Sequence, residues 1–358
     1  MEVAHSGCTR RHVLGAAAAW GMMSIVPTDA GVAAQEISPR RRIDVHHHFL
    51  PPSYMRQELD RLSNYRHGNM GRSQLLGWTA QQSIEAMDEA GVELALGSVS
   101  TPGVWYGDVN AARRLSREWN EAAARTVGDH PGRFGFFGLV APPDIDGALA
   151  EATYVLDILR ADGIGLLSNY EGKLLGDPAF VPLLEELNRR RAIIYVHPTV
   201  APCCVGLVPG FTPQQFDFPL DTTRTIASLL SSGALARFAE IRWIFSHGAG
   251  TLPFLANRIS AVTRVSKELA ERNPRGVPYE LKRLYCDIAN AISPPQLAAL
   301  TSYFPSTQLL YGSDFPFVAP KEEEAAFANY PLSAELRADI DRNNALRLFP
   351  RLRASRAR

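Results

Sequence analysis

Apolar residues along this chain follow two alternating rhythms. Short apolar runs rich in Val, Ile, Leu and Phe are followed by longer stretches in which apolar positions recur every three or four residues. The first rhythm predicts buried strands and the second predicts helices packed against them. The predicted strands are "RIDVH" (42–46), "VELALGSVS" (92–100), "FGFFGLVA" (134–141), "IGLLSNY" (164–170), "AIIYVHP" (192–198), "IRWIFSHG" (241–248), "LYCDIAN" (284–290) and "TQLLYGSDFP" (307–316). Between them, "SIEAMDEAG" (83–91) predicts a helix that follows Thr79 and stops at Gly91. "AARRLSREWNEAAARTVG" (111–128) carries Leu115, Trp119, Ala122 and Thr126 along one helical face. "DGALAEATYVLDILRADG" (146–163), "DPAFVPLLEELNRRR" (177–191) and "DTTRTIASLLSSGALARF" (221–238) continue the series, the last with Asp221 as N-cap. "SAELRADIDRNNALRLF" (333–349) closes the chain as a helix, and the basic tail at 351–358 reads as solvated.

Eight strands separated by helical segments predict an α/β fold, a single (β/α)8 TIM barrel over residues 35–350. The competing arrangement is an open doubly wound sheet, but no Gly-rich nucleotide fingerprint follows the first strand. The barrel carries a positional rule: polar residues at the C-terminal ends of its strands form the active site.

Composition changes this expectation only at the N-terminus. The 358 residues carry no net formal charge and are 46% hydrophobic, which gives no reason to expect nucleic acid or a membrane surface as partner. No apolar run is long enough for a stable membrane anchor. Residues 1–34 read as a twin-arginine export signal. Arg10 and Arg11 precede a weakly apolar run, and "GVAAQE" places small residues Val32 and Ala34 ahead of Gln35. The expectation is a mature, extracytoplasmic protein beginning near Gln35. Four cysteines are too few for a disulfide framework, and a bridge between the neighbours Cys203 and Cys204 would be strained.

The strand-end rule then selects candidate chemistry. Of nine histidines, His46, His47 and His48 end the first strand, His197 the fifth and His247 the sixth, and Asp314 ends the eighth. A lone histidine at such a place is most often a satisfied core residue, but five at matching positions are not. Residues two apart on an extended strand face one way, so His46 and His48 point together into the barrel mouth while His47 points away. A His-x-His pair, a third imidazole and a carboxylate supply nitrogen and oxygen donors for a divalent transition metal.

At these residues the chain resembles the amidohydrolase superfamily, in the branch typified by aminocarboxymuconate-semialdehyde decarboxylase. "IDVHHHFLPP", "YVHPT", "FSHGAGTLPFLANRI", "GSDFPF" and "NALRLFPRL" carry the resemblance. Within the branch, "TPGVWYGD", "HPGRFGFFG", "LGDPAFVPLLEELNRR" and "DTTRTIASLL" are similar to the 6-methylsalicylate decarboxylases. The resemblance implies one metal ion, zinc or manganese, on His46, His48, His197 and Asp314, with His247 beside it. Strand four lacks the lysine of the two-metal members, and the nearest, Lys173, lies beyond it. It further implies a homodimer in which Arg258 reaches a neighbouring subunit's site; by residue type Arg258 reads equally as a helix-surface arginine paired with a carboxylate. Trp105, Tyr106, Tyr170 and Phe315 follow strands and are candidates to line a pocket for a small aromatic carboxylate.

The expected activity is metal-dependent, non-oxidative decarboxylation of a salicylate-like acid, with His247 and Asp314 as candidate proton donors. Hydrolysis of a lactone or amide at the same centre is the competing enzyme reading. A non-catalytic metal-binding or sensing protein is the reading from another class.

Overall fold

The computed structural model describes residues 41–57, 76–318 and 320–354; the predicted export signal lies outside them. Its frame is an eight-stranded parallel sheet whose spatial order follows the chain. The strands are β1 (Arg42–His48), β2 (Val92–Ser98), β3 (Phe134–Leu139), β4 (Gly163–Leu167), β5 (Ile193–His197), β6 (Arg242–Phe245), β7 (Tyr285–Asp287) and β8 (Leu309–Leu310). β8 and the residues after it return to β1. Val45 N donates to Tyr311 O at 3.0 Å, Asp314 N to His46 O at 2.8 Å and His48 N to Phe315 O at 2.8 Å. The sheet thus closes into the (β/α)8 barrel that the sequence predicts.

Two apolar layers hold it. Ile43, Val45, Leu96, Phe137, Tyr195 and Ile244 fill the barrel, and Leu348, Phe349 and Leu352 join the same cluster. The C-terminal segment therefore packs with the barrel's interior. The tail expected to be solvated starts as the helical turn Arg351–Ala354, with Leu352 buried and Arg351 2.7 Å from Asp162. Burying Leu352 against the barrel core outweighs solvation of its basic neighbours.

Helices cover the outer face. Ala80–Glu89 starts at a capping box, in which Thr79 Oγ1 accepts from Gln82 N at 3.1 Å and Gln82 Oε1 from Thr79 N at 3.0 Å. The helix Val109–Asp129 buries Ala112, Leu115, Ser116, Trp119, Asn120 and Ala123, so its inner face runs through Ala123 instead of Ala122 and Thr126. Asn120 explains the difference: its amide binds Leu139 O and accepts from Leu139 N, tying the helix to β3. Asp221 is not an N-cap. The helix runs Asp217–Ser231, and Asp221 is buried inside it, where its carboxylate accepts from Asn169 Nδ2 at 2.7 Å and from Ser168 Oγ. No helix among the described residues is long and apolar enough to cross a membrane.

One irregularity positions the site. β1 pairs Asp44 with Ala95 but His47 with Gly97, so β1 spends one residue more than β2 between those pairs. This bulge shifts the alternation of β1 by one. Ile43 and Val45 face the interior core, and after the bulge His46 and His48 face inward too.

Candidate metal centre

His46, His197, His247 and Asp314 each bring one donor atom into a group lying within 4.8 Å. His48 joins them: its Nε2 is 3.2 Å from His46 Nε2 and 3.0 Å from Asp314 Oδ1. His46 Nε2 lies 3.1 Å from the same carboxylate oxygen. The strand ends of β1, β5 and β6 and the turn after β8 thus converge at the C-terminal mouth of the barrel. Asp314 and His247 both take left-handed backbone conformations, φ 63° and 54°, which non-glycine residues seldom adopt. Such conformations persist where the surroundings over-determine them, and here both side chains turn into the cluster.

The imidazoles differ in what holds them from behind. His48 Nδ1 lies 3.2 Å from Ser98 Oγ, His197 Nδ1 2.9 Å from Pro198 O, and His46 Nδ1 3.2 Å from Asp287 Oδ2. Each of these rings therefore turns Nε2 toward the centre. The approach of His46 to Asp287 is an ion pair outside hydrogen-bond geometry. His247 Nδ1 is likewise buried without a hydrogen-bond partner among the described residues, and its Nε2 lies 3.4 Å from Asp314 Oδ2. Asn290 Nδ2 donates to that oxygen at 2.7 Å.

Charge follows the same geometry. Burial disfavours a proton on His46, but Asp287 and Asp314 outweigh it and raise the pKa to about 10. Burial lowers that of His48, and burial with the neighbouring imidazoles holds His197 well below the usual histidine range. Burial also opposes ionisation of Asp314, yet His46 and hydrogen bonds from His247, His46 and His48 keep its carboxyl well below the usual range. The neutral imidazoles of His48 and His197, the protonated ring of His46 and the Asp314 carboxylate crowd one point, with a second carboxylate behind His46. A divalent cation meets the needs of every one of these donors, so the residues fit such an ion.

His47 behaves as predicted for a residue facing away. Its ring lies 3.2 Å from Asp44 Oδ2 and 3.1 Å from Ser83 Oγ, behind the strand. Asp44, Asp287 and Asn290 escaped the sequence reading. Asp44 accepts from His46 N at 3.0 Å, Ser313 N at 3.1 Å and Ser313 Oγ at 2.6 Å, so it clamps the two ends of the barrel beside the cluster. Asp287 ends β7 and accepts from His247 N at 3.1 Å. The strand-end rule covers Asn290, the last residue of the predicted seventh strand, and Asp287, the last of the observed one; Asp44 lies mid-strand and carries no such signal.

A cavity of about 580 Å³ opens beside the cluster, reached by His197, His247, Asn290 and Asp314. Its apolar wall includes Phe216, Phe218, Phe254, Leu300, Phe317 and Val318. Trp105, Tyr106, Tyr170, Phe315 and Arg258 do not line it. Tyr170 is buried beneath β4, its hydroxyl accepting from Leu167 N at 3.0 Å, and Phe315 stacks on the rear ring of His47 at 4.9 Å. Trp105 packs against the core, and Tyr106 donates to Gly103 O at 3.0 Å. Arg258 is exposed on the helix Leu252–Ala261. Phe317, two residues beyond Phe315, takes the aromatic place, 5.2 Å from the His48 ring.

A parallel eight-stranded barrel with a histidine–aspartate cluster at its C-terminal mouth defines a class of metal-dependent barrel enzymes. The chain belongs to the amidohydrolase family, whose sequence pattern matches residues 43–351. It is 35% identical over 322 residues to 6-methylsalicylic acid decarboxylase of Penicillium expansum, covering 87% of this chain and 97% of that one. It is 34% identical over 329 residues to decarboxylase yanB of Aspergillus niger, covering 87% and 88%. The crystal structure of 5-carboxyvanillate decarboxylase from Novosphingobium aromaticivorans, complexed with manganese and 4-hydroxy-3-methoxy-5-nitrobenzoic acid, superposes with a TM-score of 0.77. At 21% identity over 87% of this chain and 96% of that one, this last likeness is one of fold.

Proposed function

We propose that this protein is a metal-dependent, non-oxidative decarboxylase of a hydroxybenzoate with a carboxylate and hydroxyl on adjacent ring carbons. The observation that carries the chemical assignment is the difference among the imidazoles. His46, His48 and His197 are braced from behind with Nε2 forward, the disposition of metal ligands, and Asp314 adds the carboxylate. Of the two imidazoles that border the cavity, His197 is hydrogen-bonded from behind and His247 is not. His247 is therefore the ring placed to reach a substrate there. A zinc or manganese ion held by His46, His48, His197 and Asp314 would supply Lewis-acid stabilisation of the negative charge that develops on such a substrate. Elemental analysis of purified protein decides between the metals.

The remaining work falls to the chain. The apolar wall formed by Phe218, Leu300 and Phe317 takes the ring and excludes water from its reacting carbon. Asp314 Oδ2, fixed by Asn290, positions the His247 imidazole. His247 gives its proton to the ring carbon that bears the carboxylate. The bond to the carboxylate then breaks, its electron pair restores the aromatic ring, and carbon dioxide leaves; His247 regains a proton from solvent.

The test is carbon dioxide release from a panel of hydroxybenzoates, run beside lactone ring opening. Release from 2-hydroxybenzoates is expected; lactone opening alone would assign the protein to hydrolysis. His247→Ala should keep its metal and lose roughly two orders of magnitude or more in turnover. Near-normal turnover removes His247 from the mechanism.

We also propose export through the twin-arginine signal, and a homodimer. Cell fractionation with N-terminal sequencing should find a mature protein starting near Gln35 outside the cytoplasm, and light scattering should find two chains.

A further inference from the structure

Beyond the metal centre, the loop that leaves β5 carries two adjacent thiols. Cys203 is exposed and Cys204 is buried, and their sulfurs lie 2.7 Å apart. Both sit in the short turn Pro202–Cys204. Cys204 belongs to a small apolar cluster with Val200 and Phe218. Phe218 in turn lines the cavity, and its ring stands 6.0 Å from that of His197. A chain of contacts thus runs from an exposed sulfur through a buried one to the wall of the active-site cavity.

We propose that Cys203 and Cys204 are a redox modification site, closing to a vicinal disulfide on reaction with a small-molecule disulfide, and that closure resets the cavity wall at Phe218. The effect on catalysis rests on the decarboxylase reading; the modification itself does not. The Cys203 thiolate, reachable from solvent, attacks the reagent's sulfur–sulfur bond, which breaks and releases one thiol. Cys204 then loses its proton, attacks the Cys203 sulfur of the mixed disulfide and expels the second thiol. The two cysteines lose two electrons and two protons, and the reagent gains them.

The lever is backbone geometry. Neighbouring Cα atoms stand about 3.8 Å apart, short of the roughly 4.4–6.8 Å that disulfides usually span. The turn must therefore twist to close the ring, and it cannot twist without moving Cys204 in its cluster. Backbone hydrogen bonds of the following loop, Leu207 N to Cys204 O and Gln215 N to Thr212 O, close single turns. With Phe211 N to Val208 O and Phe218 N to Pro213 O, these bonds link the loop step by step from Cys204 to Phe218, the path along which a shift of Cys204 is passed on. A strained, exposed disulfide is readily reduced, so the change is reversible.

The experiment treats the full chain with oxidised glutathione, then with dithiothreitol. Peptide mapping should find the segment containing Cys203 and Cys204 lighter by two hydrogen atoms after oxidation and restored by reduction. Cys204→Ser should instead trap glutathione on Cys203, and Cys203→Ser should not respond at this segment. Hydrogen exchange over residues 212–220 should change with the oxidation state, a readout independent of any activity. With a hydroxybenzoate substrate, KM should shift by about threefold or more, since small misplacements of a binding wall carry large kinetic costs. A stable glutathione adduct on wild-type Cys203, without ring closure, overturns the site. Ring closure with unchanged exchange at 212–220 overturns the coupling to the cavity.

Discussion

Metal binding at this centre should release one proton per chain between about pH 6.5 and about 8.5, and that proton comes from His46. In the metal-free site His46 is held protonated up to about pH 10, because Asp287 and Asp314 outweigh the effect of burial. His48 and His197 are shifted downward and Asp314 sits well below the usual carboxylate range. Those three are therefore in the ligand form already. Displacing one proton makes apparent affinity rise about tenfold per pH unit. Across two units the gain is about 100-fold, or ~2.7 kcal/mol at ~1.36 kcal/mol per unit. Competition against a chelator of known pH dependence measures the slope. Calorimetry in buffers of different ionisation enthalpy counts the proton directly. Zero protons, or two, would refute the assignment. The same group makes a stability prediction with the opposite sign. A raised pKa means that the folded, metal-free protein binds more protons than the unfolded chain between about pH 6.5 and 10. Its stabilising contribution is complete below about pH 6.5 and is lost as pH rises through about 10, so the melting temperature of metal-free protein should fall across that window.

The remaining predictions concern β1. His47→Gln should keep the metal, whereas His48→Gln should weaken binding about tenfold or more, as read by chelator competition; the reverse order would place His47 in the cluster. Asp44→Ala strips a buried acceptor from His46 N, Ser313 N and Ser313 Oγ. At about 1–3 kcal/mol for each buried donor left unpaired, it should cost at least ~3 kcal/mol in denaturant unfolding of the metal-free protein. A loss under about 1 kcal/mol would mean that water replaces the carboxylate.

The barrel and the main residues of its cluster were legible in the sequence because both depend on local rules. Apolar period and turn residues set strand and helix, and the strand-end rule singled out His46, His48, His197, His247 and Asp314 without any contact information. What local rules cannot supply is the path between distant segments. Strict alternation along β1 groups His47 with Ile43 and Val45; a one-residue bulge against β2 is what turns His46 and His48 inward. Asp221 reads as a helix cap because its partners, Ser168 and Asn169, lie some fifty residues away. The aromatic wall was misplaced for the same reason. Phe315 and Phe317 look alike in sequence, and only the turn after β8 sends one behind His47 and the other toward His48. Asp44 and Asp287 are buried acidic residues within strands, and what they do is decided by which strand ends the barrel brings against them. The sequence by itself determined which residue types stand at the barrel mouth. Barrel closure decided which of them touch, because a buried polar group's role depends on partners that only tertiary packing delivers.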